Sequence, residues 1–249
     1  MNKSIKLTVF TFALFAFTAC NQEKKGNSEA AEVKADNASI GLVEEVLTKA
    51  QQEALSPDDV IKLLKDGNNR FTKNDLTARD HSKQVRKSTL SQYPKAIVLS
   101  CVDSRVPVED VFDRGIGDLF VARVAGNFVN EDILGSMEFA CKVSGSKLIL
   151  VLGHEHCGAV KAAVDDVKLG NITGMLEKIR PAVESVEYVG DRNAKNQEFV
   201  QMVCESNVRN TIVQIRLNSP ILKEMEDNGE IKIVGAVYDM DNGKVDWLE

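Results

Sequence analysis

The 249-residue chain has no stripe of lysine and arginine, no internal repeat, and no apolar run of the roughly 20 residues a membrane-crossing helix needs. Basic residues number 31 against 37 acidic ones, a formal net charge of −6 that becomes −8 once Lys3 and Lys6 are set aside. Such a surface repels phosphate backbones, so nucleic-acid binding is excluded as the main function. The sequence also lacks His-x-Glu followed by Pro-Cys-x-x-Cys, which removes a zinc-dependent base deaminase. What remains is an ordinary globular balance, 43% hydrophobic and 27% charged, in a chain long enough for one substantial core.

Residues 1–19 stand apart. Lys3 and Lys6 precede the apolar stretch Leu7–Ala19, which is too short to span a bilayer and has the length of a signal-peptide core. Small residues Thr18 and Ala19 then lead to Cys20. The arrangement resembles a bacterial lipoprotein signal, with Phe17 where such signals usually carry Leu. The resemblance implies lipidation of Cys20 and anchoring on the periplasmic side of a membrane, the alternative being release into the periplasm without an anchor. Residues 20–40 are polar and contain Val33 as their one large apolar residue before Ile40, which reads as a flexible tether. The folded domain is expected over 41–249.

Within it, Ser56-Pro57-Asp58-Asp59 starts a helix whose apolar face is Val60, Ile61 and Leu64 and whose stop is expected at Gly67. Four continuous apolar runs, Ala96–Ser100, Leu119–Val124, Leu148–Leu152 and Ile231–Val237, read as strands buried on both faces. Asn130 caps a helix carrying Ile133, Met137, Ala140 and Cys141 on one stripe. A longer helix is expected around Asn193–Leu217. Asp241-Asn242-Gly243 turns the chain into a last short strand, Lys244–Leu248. The prediction is an α/β domain: a mostly parallel central sheet of four strands plus a C-terminal antiparallel strand, flanked by helices.

Two strand ends carry the chemistry. Ala96–Ser100 runs into Cys101-Val102-Asp103-Ser104-Arg105, and Leu148–Leu152 runs through Gly153 into His154-Glu155-His156-Cys157-Gly158. Ligand sites in open parallel sheets form outside the carboxyl ends of the strands. Two thiolates and an imidazole there make a catalytic zinc set with a fourth position open. Asp103 and Arg105, two residues apart, are expected on one side of an extended segment, the guanidinium keeping the carboxylate ionised. His156 is expected to face solvent, His81 to lie on the surface, and Glu155 to be solvated or to support the site from outside. Cys141 and Cys204 fall on apolar stripes and are expected as buried free thiols. Glu184–Glu187 and Gly190–Lys195 read as a solvated helix end and loop.

Cys101-x-Asp103-x-Arg105 together with His154-x-x-Cys157-Gly158 resembles the β-class carbonic anhydrases. The likeness runs from about Gly67 to Leu248 and takes in Asp118–Asn127 and the helix from Asn130. It implies zinc, one ion per chain, on Cys101, His154 and Cys157, and reversible hydration of CO2 to bicarbonate and a proton. Asp103 would accept a hydrogen bond from the zinc hydroxide and Arg105 would orient it. Gln92 matches a substrate-orienting glutamine and Phe120 an apolar residue of the CO2 pocket, both supplied across a dimer interface on which N-terminal helices pack. Gly158 matches a glycine whose N–H faces bicarbonate. Phe139 replaces a cleft tyrosine of plant-type members. Val98 stands where some bacterial members carry the tryptophan of an inhibitory bicarbonate site, the sole tryptophan here being Trp247, so Asp103 is expected to pair with Arg105 rather than with metal. The competing readings are a CS2 or COS hydrolase on the same fold and a non-enzymatic, lipid-anchored zinc-binding module.

Overall fold

The computed structural model of the protein describes residues 41–248. The leader, the tether and Cys20 lie outside the described residues. Five strands form one sheet in the order β2-β1-β3-β4-β5: β1 Ala96–Ser100, β2 Leu119–Arg123, β3 Leu148–His154, β4 Lys232–Tyr238 and β5 Val245–Leu248. The first four are mutually parallel and β5 runs antiparallel to β4, as the sequence pattern predicts.

Ten α-helices surround the sheet: α1 Lys49–Glu53, α2 Pro57–Thr72, α3 His81–Lys87, α4 Val108–Val111, α5 Glu131–Glu138, α6 Gly158–Val164, α7 Gly170–Leu176, α8 Arg180–Ser185, α9 Gln197–Asn218 and α10 Pro220–Asp227, among the described residues. A π-helical turn, Phe139–Val143, continues α5. Ser56 caps α2 reciprocally with Asp59, and Asn130 caps α5 by accepting from the Ile133 N–H. Strand ends shift by one or two residues, β3 running on to His154, and two helix boundaries shift by more. Helix α2 does not stop at Gly67 but runs on to Thr72. Gly67 is there because a Cβ would fall 1.9 Å from the Phe112 carbonyl oxygen, so it serves close packing rather than termination. Helix α9 begins at Gln197, capped by Asn196, four residues later than Asn193.

Alternate residues of the strands feed opposite faces, which explains their unbroken apolarity. On one face Val98, Leu150 and Ala236 pack against Val60 and Leu64 of α2 and Val111 of α4. On the other, Leu99, Val151 and Val237 meet Met137, Cys141, Val208 and Leu222. Helix α9 lies so close to β3 and β4 that a Cβ on Gly153 or on Gly235 would stand 2.6 Å from a methyl of Val208. No helix among the described residues is long and apolar enough to cross a membrane. Strand order reverses between β1 and β3, which opens the sheet's crevice where both strands end.

Candidate metal centre

Cys101 leaves the end of β1, His154 closes β3, and Cys157 is the residue from which α6 starts. Their ligand atoms all lie within 4.8 Å of one another, and all three residues are buried. The His154 Nδ1 is 2.8 Å from the Glu155 carbonyl oxygen, which can only accept, so Nδ1 carries the proton. The lone pair then sits on Nε2, which is buried without a hydrogen-bond partner. An orphaned imidazole nitrogen facing two buried sulfurs is a three-donor set that could hold a metal ion and leave its fourth position open.

The thiols themselves behave as a pair. The hydrogen bond from the Cys157 thiol, then the neighbouring His154 imidazole and the Gly126 N–H at 3.4 Å, hold Cys101 far below its usual value of 9.0 against the opposing effect of burial. Cys157, facing that thiolate, is pushed up by its hydrogen bond with Cys101 and by burial. The other two thiols, Cys141 and Cys204, are free and buried, and burial raises each to about 12.

Asp103 stands at the rim. Its Oδ1 accepts from the Arg105 backbone N–H at 3.0 Å and from Nε at 2.9 Å, and its Oδ2 accepts from Nη2 at 2.8 Å. The pairing is as expected but the reason differs: the segment is a tight turn, not an extended stretch. The side-chain and backbone hydrogen bonds of Arg105 hold the Asp103 carboxyl well below the usual carboxylate range. Its Oδ2 stands 3.8 Å from His154 Nε2.

His156 has φ +54° and is half-buried, so the stretch between His154 and Cys157 is likewise not extended. His81 is exposed, and Glu155 turns aside to accept the Met240 N–H at 3.1 Å. Gly158 opens α6, is exposed, and has open space where a Cβ would be. Gln92 and Phe120 are not brought to the thiols within one chain. Gln92 precedes β1 while Cys101 follows it, a separation of about 16 Å along the strand. Phe120 pairs with Ile97, three rungs from the Ser100–Arg123 pair, or about 10 Å from the strand end.

Sequence reading missed two contributors. Arg123, at the end of β2, donates from Nη1 to the Cys101 carbonyl at 2.8 Å and from Nη2 to the Val106 carbonyl at 2.7 Å, which ties down the loop bearing Asp103. Asn207 of α9 donates from Nδ2 to the Gly126 carbonyl at 2.8 Å. A polar residue on the otherwise apolar stripe Val203-Cys204-Val208 was its signal.

The family model described as carbonic anhydrase matches residues 96–245, which hold every one of these groups except His81 and Gln92. The chain belongs to the carbonic anhydrase family. Carbonic anhydrase 2 of Mycobacterium tuberculosis is 35% identical to it over 191 residues, covering 74% of this chain and 88% of the relative. Among solved structures, the Coccomyxa β-carbonic anhydrase in complex with acetazolamide superposes with a TM-score of 0.60 at 24% identity, covering 76% of this chain and 84% of that one. Tetrameric β-carbonic anhydrases from Sordaria macrospora give 0.59 at 21% identity, covering 76% and 97%. These likenesses identify the fold as that of the β class. As a carbonic anhydrase, the chain is an enzyme of CO2 hydration, and the Cys101–His154–Cys157 group is where it could hold a metal.

Proposed function

We propose that this carbonic anhydrase works with one zinc ion per chain, held by Cys101, His154 and Cys157, and interconverts CO2 and bicarbonate. The observation that carries the reading is the unpartnered, fully buried Nε2 of His154, its tautomer fixed by the Glu155 carbonyl and its lone pair facing the two sulfurs. Zinc in such a set makes hydroxide available at neutral pH, because it lowers the pKa of water from 15.7 to about 7.

The chain's own residues do the rest. Asp103, kept ionised by Arg105, accepts a hydrogen bond and so fixes the direction of the nucleophile's remaining lone pair. Arg105 holds the carboxylate from one side with three donors, so Asp103 has no freedom to rotate away. Gly158 offers its N–H to bicarbonate. Gln92 and Phe120 complete the cleft of a neighbouring copy, since both stand too far from the thiols of their own chain. The half-buried edge strand β2 supports this: with α5 it lines a groove of about 740 Å³ formed by Ile97, Phe120, Val121, Ile133 and Phe139, and Phe139 is 52% exposed. A homodimer buries that face.

Stopped-flow CO2 hydration by the purified protein, with metal analysis and a chelator arm, tests the proposal. Turnover that falls with zinc content supports it; full turnover by metal-free protein refutes it. We further propose that Cys20 is lipidated and tethers the enzyme to the periplasmic side of a membrane. Cys20→Ala then moves the protein from the membrane fraction to the soluble fraction, and continued membrane attachment removes the anchor.

A further inference from the structure

The turn after β2 contains two consecutive residues in the left-handed region, Gly126 at φ +82° and Asn127 at φ +40°. It is buried, and it presents the Gly126 N–H to the Cys101 sulfur at 3.4 Å. A Cβ on Gly126 would stand 2.4 Å from Ile179 Cδ1 and 3.3 Å from Ala159 Cβ, so only glycine fits. Glycine has no side chain to hold its own φ and ψ, and something else must fix the direction of that N–H. Two residues one turn apart on α9 do so. Asn207 Nδ2 donates to the Gly126 carbonyl at 2.8 Å, and Thr211 Oγ1 donates to the Asn127 carbonyl at 3.3 Å. Both side chains are buried, 1% exposed each, within the core face of α9 that packs Val208 onto the sheet.

Two features show that this clamp is more than packing. Asn207 spends only its amide N–H on the turn, while its Oδ1 has no partner, an arrangement that a helix optimised for burial alone would replace by leucine. The other end of the same 126–127 peptide, the Asn127 N–H, is bonded to the Val124 carbonyl at 2.9 Å, so with Asn207 on its C=O this unit is held at both ends.

We propose that Asn207 is a positioning residue of the metal centre: by holding the Gly126 carbonyl it fixes that glycine's backbone conformation and so keeps the Gly126 N–H aimed at the Cys101 sulfur, lowering the charge on that thiolate and fixing its orientation, with Thr211 as the second point of the clamp. The inference rests on the zinc reading above. Hydrogen bonds to the atoms and neighbours of metal ligands govern affinity by roughly 10- to 100-fold when removed.

The experiment compares the full chain, wild type and variants, by competition for zinc with a chromophoric chelator and by the thiolate-to-metal charge-transfer band of the cobalt(II)-substituted protein. Asn207→Leu, equal in shape and without a donor, is expected to weaken zinc binding by tenfold or more and to shift the cobalt band. Thr211→Val is expected to move both in the same direction by less, and it decides the matter should Asn207→Leu fail to fold. Val208→Ala is the control, loosening the same helix without touching the turn: its urea midpoint falls while zinc affinity and band stay within twofold of wild type. Unchanged affinity and band in Asn207→Leu overturn the inference, and so does an equal loss of zinc in Val208→Ala. A wild type that binds no zinc instead overturns the reading of the site on which the inference stands.

Discussion

The Oδ2 of Asp103 and the Nε2 of His154 stand 3.8 Å apart, with the carboxylate turned toward Arg105 and the imidazole toward the sulfurs. The two residues come from different strand ends and do different work. His154 is fully buried beside the two sulfurs, whereas Asp103 is at the rim, where the proposed mechanism has it accept a hydrogen bond from the attacking hydroxide. Asp103→Ala is therefore expected to retain zinc, measured by metal analysis, and to lose CO2 hydration by roughly 10²-fold, the scale of one hydrogen-bonded acid–base group. Undiminished turnover in that variant takes Asp103 out of the mechanism.

The edge of the sheet makes a second prediction. Phe120 of β2, the edge strand with nothing beyond it in the described chain, meets Phe139 of the π-helical turn edge to face with centroids 6.1 Å apart. An apolar edge of this kind is covered in working proteins, because its open backbone groups invite pairing. Phe139→Glu places a charge in the middle of that face. Light scattering is expected to show monomers, and CO2 hydration to fall by roughly 10²-fold, as when substrate-positioning groups leave a cleft. Monomers with full activity contradict a shared cleft.

Much of this was legible before any coordinates. Strand β1 begins and ends where its apolar run does, and the candidate metal-binding residues were legible because Cys101 follows that run directly while His154 and Cys157 follow the Leu148–Leu152 run within five residues. Most of the errors come from contacts between distant parts of the chain, the Asp103 turn being the local exception. Gly67 reads as a helix stop until Phe112, 45 positions later, is seen pressed against it. The Asp103 turn reads as extended because nothing local reveals that Arg105 will bond back with both its backbone and its side chain. Asn207 lies 81 residues from the peptide it holds. Gln92 and Phe120 stand far from the thiols of their own chain, and the proposal that they serve a neighbouring copy's cleft is one that contacts within a single chain do not display.

The contact between α9 and the sheet can be tested on Gly153. A methyl there falls 2.6 Å from Val208 Cγ2, and a β-branched side chain in a helix has little freedom to turn away. Gly153→Ala is expected to cost about 1–3 kcal/mol in urea unfolding. Combined with Val208→Ala, which vacates the space, the cost is expected to shrink, giving a favourable coupling in the double-mutant cycle. Strict additivity of the two substitutions contradicts the steric account.

Acid stability turns on Asp113, whose side chain is fully buried at φ +47°. Burial pushes its carboxyl upward, but hydrogen bonds from Arg79, Thr77 and Arg70 outweigh that and bring it down to about 2, from 3.8. With the folded value below the unfolded one, unfolding near pH 3 takes up a proton at this site. Its stabilising contribution is thus fully present above about pH 4 and drains away as pH falls from about 4 to about 2. The shift corresponds to about 2 kcal/mol. Urea titrations across this window are expected to show a steep loss of stability in the wild type. Asp113→Asn, which has no proton to gain, is expected to start lower at pH 7 and to lose less on acidification. Parallel acid limbs in the two proteins would show that Asp113 is not the group that titrates.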